Sequence, residues 1–416
     1  MRQPSLKLLC ISNGHGEDGI AVSIIQALGQ VSRALQVWAL PLVGEGQAYR
    51  QAQIPILGPT QSLPSGGFIY MDGRQLARDL QGGLLSLAWR QLQVLRQWRG
   101  QGHYVLAIGD VVPLAAAWGS GLPYGFVGTA KSEYFFRDDR GPLPQRPWFE
   151  GWSGSVYLPW ERWLMGHDRC RIACVRDQLT AQWLSRWAIP AVYAGNPMMD
   201  NLHPSTATLS RLTTDWPDSP HALTLVLLPG SRAPEAIENW DQMVRALAMI
   251  LQHLPERPLR FLVAIAPHLP LAPFQQALTA AHWNPVTAYP YPTYSQGQGW
   301  LRLSQDAYAE CLHLADVGLA MAGTATEQCV GLGKPVITFP GNGPQFTRRF
   351  AATQARLLGP SILAVEQPDA VALALADLFQ HPERLQSIQA NGRHRMGSPG
   401  AAQRIATLLQ QRLLQS

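Results

Sequence analysis

The chain has 416 residues, 46% of them hydrophobic and 15% charged, with a formal net charge of +5. That length exceeds one comfortable core, so two domains are expected. No run of 18 apolar residues predicts a membrane-spanning helix, and the start MRQPSLKLLCIS lacks a signal-peptide layout. The excess of Lys and Arg over Asp and Glu is 18 to 14 in residues 1–200 and 15 to 14 thereafter, too diffuse for a nucleic-acid footprint. Five cysteines in apolar surroundings read as reduced core residues of a cytoplasmic protein. Cys170 and Cys174 are not spaced like a metal knuckle and have no second pair, so no metal site is expected.

In chain order, residues 6–12 read as a buried strand. The turn Asn13-Gly14-His15-Gly16 follows, and Glu17-Asp18 opens a helix to about Gly29. Strands are predicted at 36–43 and 68–71, then a long amphipathic helix over 75–99 with a basic last turn. The strand at 104–108 delivers Gly109-Asp110 at its carboxyl end, before an alanine-rich helix and a strand at 124–127. Residues 131–165 mix Pro, Gly, Trp and both charges without a clean period and read as an excursion from the core. A strand at 171–175, a helix at 177–187 and a strand at 191–194 close the first half. Residues 201–220, rich in Pro, Ser and Thr, read as a linker.

The alternation then restarts. Strand 223–228, turn Pro229-Gly230-Ser231-Arg232 and helix 234–254 are followed by strand 259–266 and helix 270–281. After a Tyr/Pro-rich stretch come helix 305–315, strand 317–321, the turn 323–326 with a helix after it to about Leu332, and strand 335–339, with helices filling the remainder. Strand, helix, strand makes a right-handed crossover unit, in which ligands sit at the carboxyl ends of the strands.

Three places carry chemistry. Gly230, Ser231 and Arg232 sit between a buried strand and a helix N-terminus, which suits a diphosphate. A plain Pro-Gly turn with a solvated arginine reads equally well. Gly323, Thr324, Thr326, Glu327 and Gln328 form a second anion- and hydroxyl-binding turn, or else a capped helix start. The first loop lacks a dinucleotide fingerprint and sets an acid where phosphate would go. His15 there is a candidate general base, as is Asp110 at its strand end. Lys131 is a candidate for lining the same site.

LLPGSR (227–232) and GTATEQ…GKP (323–335) resemble the sugar-nucleotide half of bacterial lipid-A-disaccharide synthase. They are also similar to the wider group holding the peptidoglycan N-acetylglucosaminyltransferase and monogalactosyldiacylglycerol synthase. AGNPMMD (194–200) and IGD (108–110) add to the likeness. The resemblance implies an α/β GT-B fold, two Rossmann-like doubly wound domains facing across a cleft, with no cofactor and no metal. By the same resemblance, Ser231 and Arg232 contact the diphosphate, Gly323, Thr324 and Thr326 form the donor loop, and Gln345 lies near the donor sugar. Asp110 matches an essential aspartate and His15 a proposed base. Two departures stand out: Gln328 occupies the position of a glutamate in relatives, with Glu327 one earlier, and the first loop reads NGHGED rather than an acidic-serine-glycine turn.

The expectation is therefore a glycosyltransferase moving a sugar from a UDP-sugar to a lipid-linked or amphipathic acceptor. The acceptor-side domain would span 1–200, a linker 201–220, the UDP-sugar domain 221–395, and a C-terminal helix 396–416 would pack back across the domain interface. Asn13, Gly14, Gly16, Glu17 and Lys131 would line the acceptor side. Trp and Arg in 148–163 and at the end of the 75–99 helix suit peripheral contact with an anionic membrane on the inner face of the plasma membrane. Two alternatives stay open: a UDP-N-acetylglucosamine 2-epimerase-like enzyme, which needs no second substrate, and a sugar-nucleotide-binding regulator without catalysis.

Overall fold

The computed structural model describes residues 6–32, 34–61, 84–144, 151–216, 219, 221–287, 289–343 and 346–415. Strand β1, Leu6–Ser12, is apolar and buried on both faces from Leu8 onward. Such a strand belongs inside a parallel sheet. It leads into α1, His15–Val31, then β2, Leu35–Pro41, and the short α2, Gln47–Gln51. The predicted strand at 68–71 and the first turns of the predicted 75–99 helix lie outside the described residues; that helix is described as α3, Leu84–Trp98. Then come β3, Tyr104–Gly109, α4, Val111–Gly119, and β4, Tyr124–Gly128. A two-residue hairpin follows (β5, Arg137–Asp138; β6, Gly141–Pro142), then α5, Pro159–Met165, β7, Cys170–Cys174, α6, Gln178–Leu184, and β8, Ala191–Val192.

The main strands form one parallel sheet in the order β2-β1-β3-β4-β7-β8. Alternate side chains of β1 feed two cores. Leu8 and Cys10 meet Ile20, Ile24 and Leu28 of α1, while Leu9 and Ile11 share the opposite cluster with Leu95, Leu114 and Met165. Residues 131–165, expected outside the core, contribute to it. Tyr134 and Tyr157 are buried, and the Glu133 carboxylate accepts from Arg137 Nε (2.7 Å), Ser155 Oγ (2.5 Å) and the Val156 N–H (2.9 Å). A polar network organises this segment, so it shows no apolar period.

The second half begins with α7, Thr206–Thr213, inside the stretch expected as a linker. It continues through β9, Leu223–Leu228, α8, Glu235–His253, β10, Leu259–Ala264, and α9, Leu271–Ala280. Three strands fill the Tyr/Pro-rich region and its end: β11, Asn284–Val286, β12, Thr293–Gln296, and β13, Gly299–Ser304. Then follow α10, Tyr308–Leu314, β14, Val317–Ala320, α11, Thr324–Gly331, β15, Val336–Thr338, and α12, Arg348–Leu358. A strand, β16, Ile362–Ala364, interrupts the expected terminal helices before α13, Val371–Gln380, and α14, Pro382–Met396. The sheet order is β11-β12-β13-β10-β9-β14-β15-β16, parallel except for the pairings of β12.

The last helix, α15, Ala401–Leu409, returns to the first sheet. Ala402, Ile405, Ala406 and Leu409 join the core of Ile20, Ile24 and Leu28. The chain accordingly divides into two compact units, Met1–Asp200 with Pro399–Ser416, and Asn201–Ser398. The Asp200 carboxylate accepts from the N–H groups of Gly400 (2.7 Å), Ala401 (2.9 Å) and Ala402 (2.6 Å), capping α15 from 200 residues away. An anion at a helix N-terminus satisfies donors that the helix itself leaves open.

Candidate functional site

In each parallel sheet the strand order reverses direction once, and the crevice at that point is where ligands enter such folds. In the second unit the reversal falls between β9 and β14, which pair in register from Val317↔Leu225 to Ala320↔Leu228. Residues 229–234 leave β9 there and residues 321–323 leave β14. Gly230 has φ +108°, a conformation that an L side chain rarely adopts. Asn239, buried on α8, ties the two loops together: its Nδ2 donates to the Pro229 carbonyl at 3.0 Å and to the Met321 carbonyl at 3.5 Å. Glu235 fixes a third loop by accepting from the Phe346 N–H at 2.7 Å.

Around this frame, Ser231 is exposed and Arg232 half-buried. Burial pulls the Arg232 pKa down, and the Glu235 charge opposes that shift. His268 Nε2 donates to the Ser231 carbonyl at 2.7 Å, and Gln305 Nε2 holds the loop carrying His268 through the carbonyls of Ala266, Pro267 and Leu269. On the other side, Gly323 precedes α11 and Thr324 is exposed. Thr326 points inward: it is fully buried and its hydroxyl donates to the Ala322 carbonyl at 2.6 Å. Glu327 and Gln328 are half-buried, and Gln328 Oε1 accepts from the Tyr308 hydroxyl at 2.6 Å. Gln345 lies outside the described residues. The arrangement presents a glycine turn, an arginine and two helix N-termini at one crevice, a set that can hold a diphosphate.

In the first unit the reversal falls between β1 and β3. Asn13 and Gly14 leave β1, and Gly109 and Asp110 leave β3. Gly109 has φ +129°, and a Cβ there would lie 3.1 Å from the Asn13 Cβ. Asp110 caps α4 by accepting from the Val112 N–H at 2.9 Å. Thr129 Oγ1 donates to Glu17 Oε1 at 3.4 Å. Burial raises the pKa of Glu17, and the Asp110 charge adds to the rise. Burial likewise raises that of Asp110, against its bond to Val112 and the charge of Lys131. Lys131 Nζ is itself bridged to both oxygens of the buried Glu161, at 2.7 and 2.5 Å. His15 opens α1 and Gly16 is exposed; the His15 side chain lies outside the described set. Neighbouring carboxylates with raised pKa values are candidates for proton transfer.

Among the described residues no group of His, Cys, Asp or Glu is placed to hold a metal, and no helix is long and apolar enough to cross a membrane. Asn239, Glu235, His268 and Tyr308 escaped the sequence reading. Each sits within a helix or loop whose pattern says nothing about the crevice it faces.

No family model matches the chain. It is 28% identical over 255 residues to a lipid-A-disaccharide synthase of Xylella fastidiosa strain M23, an alignment covering 55% of this chain and 60% of that protein. The match to the protein of strain Temecula1 has the same extent; the chain thus spans 60% of the length of the curated relatives it matches. Among solved structures, it is similar to the MurG protein of Acinetobacter baumannii (TM-score 0.55, 15% identity, 98% of this chain and 99% of that one). It is similar to the calicheamicin glycosyltransferase CalG4 (0.59, 14%, 99% and 100%). It is also similar to a UDP-GlcNAc 2-epimerase from Neisseria meningitidis bound to UDP-GlcNAc (0.58, 13%, 98% and 100%). The chain has the GT-B fold and a distant sequence similarity to lipid-A-disaccharide synthase.

Proposed function

We propose that this protein transfers a sugar from a UDP-sugar to a hydroxyl of a lipid-linked or amphipathic acceptor. The observation that carries the reading is the crevice between β9 and β14. Gly230, Ser231, Arg232 and the head of α11 converge there in the two stretches that resemble lipid-A-disaccharide synthase. Donor cleavage leaves a diphosphate with growing negative charge. Arg232 and the N-termini of α8 and α11 stabilise that charge where it develops. Glu327, beside the Tyr308-held Gln328, hydrogen-bonds the ribose. In the first unit Asp110, Glu17 or His15 takes the acceptor proton. Peripheral contact with an anionic membrane would deliver the acceptor.

Thermal unfolding with UDP, UDP-sugars, ADP and NAD tests the donor class. A ligand at about 100 times its dissociation constant adds roughly 2.7 kcal/mol to the unit that binds it, which moves a midpoint by several degrees. A shift confined to uridine nucleotides is expected. A shift with ADP or NAD alone overturns the reading. Arg232→Ala is expected to lower kcat/KM at least tenfold, read with a radiolabelled donor and an acceptor screen. Conversion of the UDP-sugar without any acceptor would favour an epimerase, a fold neighbour of this chain.

A further inference from the structure

Two buried carboxamides hold the loops that leave β9 and β14. Asn239 on α8 is 1% exposed and Gln354 on α12 is 3% exposed. Asn239 Nδ2 donates to the carbonyls of Pro229 and Met321, and Gln354 Nε2 donates to those of Ala322 at 3.2 Å and Gly323 at 3.1 Å. One carbonyl of the first loop and three successive carbonyls of the second therefore face two NH2 groups. The amide oxygens, Asn239 Oδ1 and Gln354 Oε1, are buried and meet no donor among the described residues. A Cβ on Gly341 would lie 2.7 Å from Asn239 Oδ1, so a third loop closes over that oxygen.

A buried acceptor without a donor costs stability, so packing does not explain these amides. Nor does Gln354 complete the bonding of its carbonyls. The Ala322 oxygen also accepts from Thr326 Oγ1 at 2.6 Å, and the Gly323 oxygen from the Glu327 N–H at 3.3 Å. What the amides do is fix peptide planes. In a trans peptide the N–H points opposite to the carbonyl. Carbonyls 229, 321, 322 and 323 are drawn inward to buried amides, so the N–H groups of Gly230, Ala322, Gly323 and Thr324 turn outward, on the side of the crevice. Among the described residues these four N–H groups have no acceptor. Neighbouring backbone N–H groups aimed one way make a concave site for an anion.

We propose that Asn239 and Gln354 are positioning residues of the donor site. They turn the N–H groups of Gly230, Ala322, Gly323 and Thr324 into one cradle for the donor's diphosphate, and neither amide touches the nucleotide. The inference rests on the diphosphate reading of this crevice and adds what sets its shape. Arg232 supplies charge; the two amides supply the direction of the backbone dipoles. Because that direction is fixed before a ligand arrives, the cradle needs no rearrangement as charge grows on the departing diphosphate.

The test compares UDP, inorganic pyrophosphate and uridine on the full chain, by titration calorimetry for the first two and ligand-observed NMR for uridine. Gln354→Met keeps the length of the side chain and removes the donor. Both of its carbonyls retain their second partner, so the variant is expected to keep the wild-type thermal midpoint. Its affinity for UDP and for pyrophosphate is expected to fall about tenfold or more, with that for uridine unchanged. Asn239→Asp, of the same shape, is expected to show the same split; if it does not fold, Gln354→Met decides alone. Equal weakening of UDP and uridine overturns the proposal, because Gln354 is then a prop of the whole unit. So does unchanged UDP and pyrophosphate affinity in Gln354→Met. A wild type that binds pyrophosphate but neither UDP nor uridine sinks the uridine-donor reading, and the cradle then stands or falls on whether Gln354→Met loses pyrophosphate. A wild type that binds neither UDP nor pyrophosphate sinks both.

Discussion

Asp18 lies in the first turn of α1 with 1% of its surface exposed, its Oδ1 accepting from Ser12 Oγ at 2.6 Å. Burial pushes its pKa up to about 7, against the Ser12 bond and with help from the Glu17 charge. The folded state therefore holds a proton that the unfolded chain, titrating near 3.8, has released. Stability is full below that unfolded pKa and falls as pH rises towards 7, by up to about 1.4 kcal/mol per pH unit for one proton. Asp18→Asn keeps an acceptor for Ser12 and removes the charge. Denaturant unfolding at pH 5 and pH 8 is expected to show a smaller loss for the variant than for the wild type; equal losses would refute the assignment. The residues around this group were legible unevenly. The glycine turns and Asp110 announced themselves by their place at strand ends. The inward turn of Thr326 and the pinning of Gln328 by Tyr308 depend on neighbours distant in sequence, which no local pattern carries.

Strand β13 shows where element reading fails. Its sequence GWLRLS sets an arginine inside a buried strand, parallel to β10 and antiparallel to β12, and that charge breaks the apolar run by which buried strands are recognised. The fold accommodates it by bringing α7 alongside. Arg302 is fully buried, donates to the Leu212 and Thr214 carbonyls, and faces the Trp216 and Tyr289 rings at 4.7 and 4.8 Å. The Pro/Ser/Thr composition that suggested a linker thus surrounds a docked helix. Removing the guanidinium strands two carbonyls in an apolar setting. Arg302→Ala is expected to cost roughly 2–4 kcal/mol and to open residues 206–214 to protease. Unchanged urea midpoints would show that α7 is held by other contacts. By contrast β1, β9 and β14 were readable from sequence, because each carries a largely apolar run that leads into a glycine-containing turn.

At the scale of the whole chain, the repeated alternation of strand and helix was visible in each half, and two doubly wound sheets follow from it. The last helix was expected to pack back across the domain interface, an expectation its own sequence does not carry, since an amphipathic helix advertises a buried face and not its partner. That partner is the first unit: Ile405 and Leu409 of α15, with Leu413 and Leu414 beyond it, lie in its core, and Asp200 caps its start. Each such side chain contributes about 1.5–3 kcal/mol, and their sum rivals the 5–15 kcal/mol that holds a domain folded. Ending the chain at Ser398 is expected to abolish cooperative unfolding of the first unit while the second keeps its own transition, as scanning calorimetry would resolve; two intact transitions would contradict this. The same closure sets an order of events during synthesis. Domains usually fold in the order in which they emerge from the ribosome, but here the unit encoded first stays incomplete until residues 399–416 appear. Of the two units, the one begun first is the one finished last, and until then an apolar face of its sheet stays uncovered.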